Sequence, residues 1–302
     1  MLNVLQKAEA RDLDREARDL DRELQFRLHR LNVLRLTPAL PSSTWKQEAA
    51  ELARLFVEEG DFLESMREAV VARAMTAPTD ASGFVEWFEE LKESGPGQGD
   101  PLFKWLAEDC TMEQMKWFLT QEVAGEAGFD DLTALTQVKL PIRPKLELAR
   151  NYWDEMGRGN PKGMHGPLLE ALAEFLELHP ARDSTVTESL ALANTMAGLA
   201  ANRRYAYHSV GALGVIEMTA PGRSAATSAG LKRLGVRAGN RHYFALHAVL
   251  DVKHSLAWNA EAIEPLVASN PSIATAIAEG ALMRLQCGAR CFERYRRELG
   301  LS

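Results

Sequence analysis

The chain has 302 residues, a formal net charge of −7 and a pI near 5.6. This acidic balance gives no electrostatic basis for nucleic-acid binding, and a content of 46% hydrophobic and 25% charged residues is typical of a water-soluble globular protein. No apolar run approaches the roughly 20 residues that span a bilayer, and the N-terminus lacks the apolar core of a signal peptide. We therefore expect a cytoplasmic protein that binds neither nucleic acid nor membrane.

The N-terminal region contains a heptad, ARDLDRE, twice within residues 10–24. Its charges recur at i, i+3 and i+4 and favour a helix, although the seam has too few apolar residues for a coiled coil. We predict a helical extension over residues 1–40, which is either a solvated charged helix without function or a helix that packs on the domain or on a second subunit in a homodimer. Residues 41–302 are predicted to form one domain.

That domain is predicted to be helical throughout. Apolar residues recur at helical spacing through residues 45–75, and a loop rich in Gly, Pro and Ser follows at 93–101. Gly, Pro or Asn-Pro bounds each later segment, and no alternating strand pattern is found. The further predicted helices span 82–92, 102–108, 112–137, 143–157, 161–179, 186–219, 224–234, 239–258, 260–269 and 271–298. The predicted fold class is all-α.

Several of these helices carry acidic residues where an apolar face is expected. In the segment 115–132, Glu122 and Glu126 share a face with Met115, Phe118 and Leu119. One of the two carboxylates is expected to point inward, and we favour Glu126.

The next acidic residue of interest is Glu155, in the last turn of the helix that stops at the Gly157–Gly159 joint. Asn160 and Pro161 are predicted to start the following helix, with His165 about one turn into it. An acidic residue is unfavourable at a helix C-terminus, so Glu155 needs a compensating partner.

Glu217 ends a run of small and aliphatic residues, VGALGVIE. An unpaired carboxylate in such surroundings would cost several kcal/mol, so something must neutralise it. A bound cation would do so, and a local hydrogen bond at a helix end is the alternative.

The segment LHAVLDVKHSLAW, residues 246–258, places His247, Asp251 and His254 on one helix face, because their spacings are four and three residues. A solvated polar face is one explanation, but flanking residues such as Leu250 and Trp258 make the segment too apolar for an ordinary exposed helix. Two imidazoles and a carboxylate in an apolar bundle suit iron, manganese or zinc. Other helices would supply the remaining ligands.

Taken together, these residues resemble the heme-oxygenase-like diiron oxidases, also called iron-containing redox enzymes. The resemblance rests on a carboxylate-bearing helix, on Glu155 with His165 ten residues later, on Glu217, and on the final His-x3-Asp-x2-His motif. It covers roughly residues 110–260 and does not involve the N-terminal third. It implies a heme-oxygenase-like helical bundle that holds two Fe(II)/Fe(III) ions and activates O2 as a co-substrate.

Carried over residue by residue, the resemblance implies a set of seven metal ligands. Around one iron it implies Glu126, His165, Glu217 and His247. Around the other it implies Asp251, His254 and the bridging Glu217. Glu155 matches an additional carboxylate of the N-oxygenating members of the family.

The resemblance also bears on the reaction. An alkene-forming fatty-acid decarboxylase of the family lacks that additional carboxylate and has a Glu three residues before the His, where this chain has Lys162. We therefore expect an O2-dependent oxidase or oxygenase that acts on a small molecule, with N-oxygenation of an amine favoured over decarboxylation or other C–C cleavage of a carboxylic acid. An electron donor is a candidate partner.

Two alternative functions are compatible with the sequence and do not involve iron. A thiaminase-like protein of the same fold would bind a small heterocycle, and replacing His247 or Asp251 would leave its ligand affinity intact. A non-enzymatic helical scaffold would bind a protein partner through its charged N-terminal helix and would take up no iron.

Overall fold

The computed structural model describes residues 21–126 and 128–301, and every regular element within these ranges is helical. The all-α prediction is therefore confirmed. The α-helices in chain order are α1 (21–36), α2 (Trp45–Glu68), α3 (Val71–Ala74), α4 (Ala81–Ser94), α5 (Pro101–Glu108), α6 (Met112–Gly125), α7 (Phe129–Thr136), α8 (Ile142–Glu155), α9 (His165–Phe175), α10 (Thr187–Ala201), α11 (Ala206–Arg233), α12 (His242–Trp258), α13 (Glu264–Ser269) and α14 (Ile273–Leu299). Single 3-10 turns lie at Gly157–Gly159, Pro161–Gly163, Arg182–Ser184 and Arg203–Tyr205, and a π-helical turn lies at Asn259–Ile263.

The chain divides into two compact units, residues 1–62 and residues 63–302. In the first unit, ion pairs join α1 to α2: Arg27 Nε lies 2.7 Å from Glu58, and Arg35 Nη2 lies 2.6 Å from Glu59. Most of the predicted charged repeat, residues 10–20, lies outside the described residues. The predicted domain boundary at residue 40 stays a prediction.

In the second unit, the starts of several helices follow from local sequence. The side chain of Asp80 accepts a hydrogen bond from the Gly83 N–H at the start of α4, and Asp100 accepts one from the Leu102 N–H at the start of α5. Thr111 and Gln114 form a reciprocal capping box at the start of α6. Such caps satisfy backbone N–H groups that the first helical turn leaves free.

The prediction of one helix over 112–137 is wrong, because the chain turns between α6 and α7. Glu126 has an extended backbone, and Gly128 has a left-handed conformation, with φ of 73°, that glycine adopts without steric cost. Glu126 therefore lies at the end of α6 and not on the middle of a long helix.

Two further helix boundaries differ from the prediction. The helix predicted over 161–179 begins only at His165, because residues 161–163 form a separate 3-10 turn. The helix predicted over 186–219 breaks at Asn202, and α11 then continues through Pro221 to Arg233. Pro221 leaves the carbonyl of Glu217 without its helical N–H partner, at a typical cost of about 3 kcal/mol. Packing of α11 against α5, α12 and α14 offsets this cost.

Helices α11 and α14 approach each other very closely. A Cβ on Gly211 would lie 1.9 Å from the carbonyl oxygen of Ile277, and a Cβ on Gly280 would lie 1.9 Å from that of His208. Beside this crossing, His208 Nε2 lies 2.9 Å from Glu279 of α14. The close approach makes α11 the central helix of the second unit, with Glu217 in its middle.

None of the helices within residues 21–126 and 128–301 combines the length and the apolar character that crossing a bilayer requires.

Candidate metal centre

Four helices bring six of the predicted ligands together. Glu155 is the last residue of α8 and His165 the first of α9. Glu217 comes from α11, and α12 carries His247, Asp251 and His254, as the spacing predicted.

The segment between α8 and α9 folds tightly back on itself. A Cβ on Gly157, whose φ is 60°, would lie 2.5 Å from the carbonyl carbon of Gly163. Only glycine fits this close approach. The result is that Glu155 and His165, ten residues apart in sequence, lie within hydrogen-bond distance of each other: His165 Nδ1 is 2.7 Å from Glu155 Oε2.

A first group of possible metal ligands consists of Glu155, His165 and His247. His165 Nδ1 lies 3.0 Å from His247 Nε2, so the two imidazoles and the carboxylate meet at one point. The other nitrogen of His247, Nδ1, lies 2.8 Å from the carbonyl oxygen of Tyr243. Since a carbonyl can only accept, Nδ1 carries the proton and the lone pair of Nε2 is free for a metal.

A second group consists of Glu155, Glu217 and His254. His254 Nδ1 lies 3.4 Å from Glu217 Oε2 and 4.0 Å from Asp251 Oδ1. Its Nε2 lies 3.2 Å from Asp154 Oδ2, which accepts the Nε2–H. This bond leaves Nδ1 as the nitrogen that faces the carboxylates.

The two groups differ from the ligand sets that the resemblance implies. Glu155 belongs to both groups, whereas Glu217 belongs to only one. Asp251 is buried beside the second group without joining it. Glu126 belongs to neither group; it lies with Glu122 on the wall of the adjoining cavity.

Burial dominates the electrostatics of the carboxyl groups. It raises the pKa of Asp251 to about 10, assisted by the nearby charges of Glu217 and Glu155. Burial and the charge of Glu217 likewise raise the pKa of Glu155 well above its ordinary value. Without a cation, these carboxyl groups cannot all be ionised together.

The three histidines do not behave alike. Burial lowers the pKa of His165 and of His247 to about 4, so both rings are neutral at pH 7, as a metal ligand must be. Burial also opposes the charged form of His254, but the nearby carboxylates of Glu217 and Asp154 raise its pKa to about 9. In the absence of metal, a proton on His254 therefore offsets part of the carboxylate charge.

A cavity of about 180 Å³ adjoins the two groups. Phe118, Leu169 and Phe244 form part of its apolar wall, and Tyr243 lies beside His247 with a ring-centroid separation of 4.3 Å. A small organic molecule placed in this cavity would lie next to Glu155, His165 and His247.

Sequence reasoning missed two residues that support the ligands. Asp154 holds His254, and Asn151 Nδ2–H donates to Glu217 Oε1 over 2.5 Å. Asn151 could have been identified from the sequence, because it precedes Glu155 by one helical turn and shares its helix face. No local pattern indicates the contact of Asp154, which depends on how α8 packs on α12.

The residues present fit a metal. Asp251 Oδ1 and His254 Nδ1 are buried and have no hydrogen-bond partner in the part of the chain that the structure describes, although such atoms are normally satisfied. Mixed imidazole and carboxylate donors are suited to iron, manganese and zinc. A bound cation would satisfy both orphaned atoms and offset the carboxylate charge.

Comparison with known proteins agrees with this chemistry. A family model described as iron-containing redox enzyme matches residues 116–289, more than half of the chain. The matched range contains every predicted metal ligand and most of the cavity wall. A comparison with curated proteins gave no match. The chain therefore belongs to the family of iron-containing redox enzymes, which has the heme-oxygenase-like helical fold.

Proposed function

We propose that this protein is a non-heme diiron oxidase or oxygenase that uses O2 to oxidise a small molecule. The observation that carries the proposal is the pair of adjoining His and carboxylate groups that share Glu155 and border a cavity. Two adjoining groups suit two metal ions better than one, and the membership of an iron-containing family makes iron the metal of choice.

The residues of the chain have three tasks in this proposal. Glu155, His165, Glu217, His247, Asp251 and His254 would hold the irons, with Glu126 as the seventh ligand from the cavity wall. The Tyr243 carbonyl fixes the protonated nitrogen of His247, and Asp154 fixes that of His254. The apolar cavity wall binds the substrate and excludes water. Iron held here would supply the redox chemistry that the reaction of O2 requires.

Within this class, we propose N-oxygenation of an amine. Glu155, which corresponds to the additional carboxylate of the N-oxygenating relatives, belongs to both ligand groups. Lys162, where the decarboxylase relative has a Glu, is exposed in a 3-10 turn outside both groups. Both features favour N-oxygenation over decarboxylation.

The test is an anaerobic Fe(II) titration of the purified protein, followed by rapid mixing with O2 while the visible spectrum is recorded. We expect uptake of two irons per chain and a transient absorption after mixing. The His254→Ala variant should lose iron and the transient absorption. His179→Ala, which changes an exposed histidine outside the site, is the matched control and should behave as the wild type.

Other outcomes would point to the competing functions. An absence of iron uptake by the wild type would contradict the proposal and favour a metal-free ligand-binding protein or a scaffold. With iron bound, incubation with panels of amines and of carboxylic acids, followed by mass spectrometry, separates the reactions. Addition of oxygen to an amine supports N-oxygenation, whereas release of CO2 from an acid supports decarboxylation.

A further inference from the structure

Two arginine side chains, Arg223 and Arg284, line the same cavity as the candidate metal centre. Helix α11 contributes both Glu217 and Arg223 to the cavity wall, and α14 contributes Arg284. The wall therefore carries guanidinium groups as well as candidate metal ligands.

Arg284 lacks partners for its buried donors. Its Nε and Nη1 atoms are buried and have no hydrogen-bond partner among the described residues. A buried charged donor without a partner is costly, and a native structure normally provides one. The side chain also lies against Gly288, where a Cβ would come within 2.9 Å of Arg284 Nη1. The absence of a side chain at Gly288 leaves the space that the guanidinium group occupies.

Arg223 is held in place by neutral groups. Its Nε–H donates to the carbonyl of Thr219 over 3.1 Å, and Nη2–H donates to the hydroxyl of the same residue over 2.6 Å. Its guanidinium carbon lies 5.4 Å from the ring centroid of Phe292 and 5.9 Å from that of Phe103. These contacts orient the positive charge without neutralising it.

Two glutamates, Glu122 and Glu126, share the cavity wall with the two arginines. Burial, with the nearby charge of Arg284, lowers the pKa of Arg223 to about 9, so the group remains charged at pH 7. Glu122 is the acidic residue of the cavity wall whose charge acts on both arginines, and burial raises its pKa in spite of them. Glu126, whose pKa burial also raises and which interacts with Arg284, is the seventh candidate metal ligand. With Glu126 facing the metal, an ionised Glu122 would leave one positive charge, which is the charge that a single carboxylate neutralises.

We propose that Arg284 and Arg223 bind a carboxylate group of the substrate. This inference rests on the proposed function and names its substrate class: a small organic monocarboxylate. Guanidinium groups recognise carboxylates through paired, charge-assisted hydrogen bonds. The cavity wall also includes apolar residues, which would contact the body of the substrate.

The experiment measures binding of matched compounds to the full-length protein by isothermal titration calorimetry. The compounds are hexanoate, octanoate, 4-phenylbutanoate and 6-aminohexanoate, each compared with the primary alcohol of the same skeleton. Protein treated with a chelator is used first, so that a carboxylate cannot bind iron, and Fe(II)-loaded protein is used second under argon. We expect at least one carboxylate to bind at least about tenfold more tightly than its alcohol in both forms.

Variants assign the effect to the arginines. Arg284→Met is expected to weaken carboxylate binding at least about tenfold, while leaving iron uptake unchanged. Arg284→Lys keeps the charge but not the planar pair of donors and should recover part of the affinity. Arg290→Met, on an exposed position of the same helix, is the matched control and should bind as the wild type.

Several outcomes would overturn the inference. These are equal binding of acids and alcohols by the wild type, no binding of any acid, or unchanged binding by Arg284→Met. Its failure is distinguishable from failure of the proposed function, because iron uptake is measured separately. Selective, Arg284-dependent acid binding by a protein that takes up no iron would refute the oxidase and retain the carboxylate site.

Discussion

At the level of single residues, two imidazoles of the candidate centre each have one nitrogen fixed by a neighbour. His247 Nδ1 faces the Tyr243 carbonyl, and His254 Nε2 faces Asp154. A histidine that binds a metal commonly donates its second N–H in this way, and loss of the acceptor lowers metal affinity by about 10- to 100-fold. The positions of Asp154 and Tyr243 thus matter for ring orientation although neither side chain is a predicted ligand.

We therefore predict that Asp154→Asn weakens Fe(II) binding by about 10- to 100-fold. The amide can turn its oxygen toward His254, but it lacks the negative charge that supports the ligand. The affinity is measured anaerobically by competition with a chromophoric chelator. Arg158→Gln is the control: it removes the 2.5 Å ion pair between Arg158 and Asp154 but keeps the acceptor of His254. An equal loss in both variants would show that the ion pair, and not the His254 contact, is responsible.

A second prediction concerns Asn151, whose amide donates to Glu217. Asn151→Leu leaves Glu217 Oε1 without this donor and should lower the affinity for Fe(II). Asn151→Asp places a like charge beside Glu217 and should lower the stability of the metal-free protein more than Asn151→Leu does. The free energy of unfolding of the metal-free protein distinguishes the two, since the Asp variant should be the less stable. Equal stability of both variants would contradict the assigned hydrogen bond.

At the level of secondary-structure elements, α11 depends on glycine for its closest contacts. Gly280→Ala is predicted to destabilise the protein by about 1–3 kcal/mol, because the new Cβ would overlap the His208 carbonyl. Gly222→Ala is the matched control on α11, where a Cβ meets no atom within 4 Å; it should be neutral or stabilising by up to about 1 kcal/mol. Urea unfolding midpoints measure both, and a neutral Gly280→Ala would mean that the helices can separate at low cost.

The elements also show how far sequence reasoning reaches. One face of α12 carries His247, Asp251 and His254. This arrangement was predictable because helical periodicity is a local property and α12 is uninterrupted. The turn at Gly128 was not predictable, because it depends on the backbone conformation of a single glycine. The continuation of α11 through Pro221 was not predictable either, because it depends on packing against three neighbouring helices. The contacts of Asp154 and Arg284 likewise arise only when distant helices meet. Local rules thus predicted the candidate ligands, and tertiary packing determined their partners.

At the level of the whole molecule, the candidate centre links α8 and α9 to α11 and α12, which lie later in the chain, so metal binding should stabilise the fold. A ligand present at 100 times its dissociation constant, and bound only by the native state, contributes about 2.7 kcal/mol to stability. We predict that Fe(II) at such a concentration raises the melting temperature of the wild type by several degrees, measured anaerobically by circular dichroism at 222 nm. His254→Ala should show a much smaller shift and His179→Ala the full one. Because Mg²⁺ prefers oxygen ligands and binds imidazole weakly, it should produce little stabilisation at the same concentration. A shift of equal size with Mg²⁺, or in His254→Ala, would mean that the stabilisation arises elsewhere on this acidic protein and not at the groups that meet at Glu155.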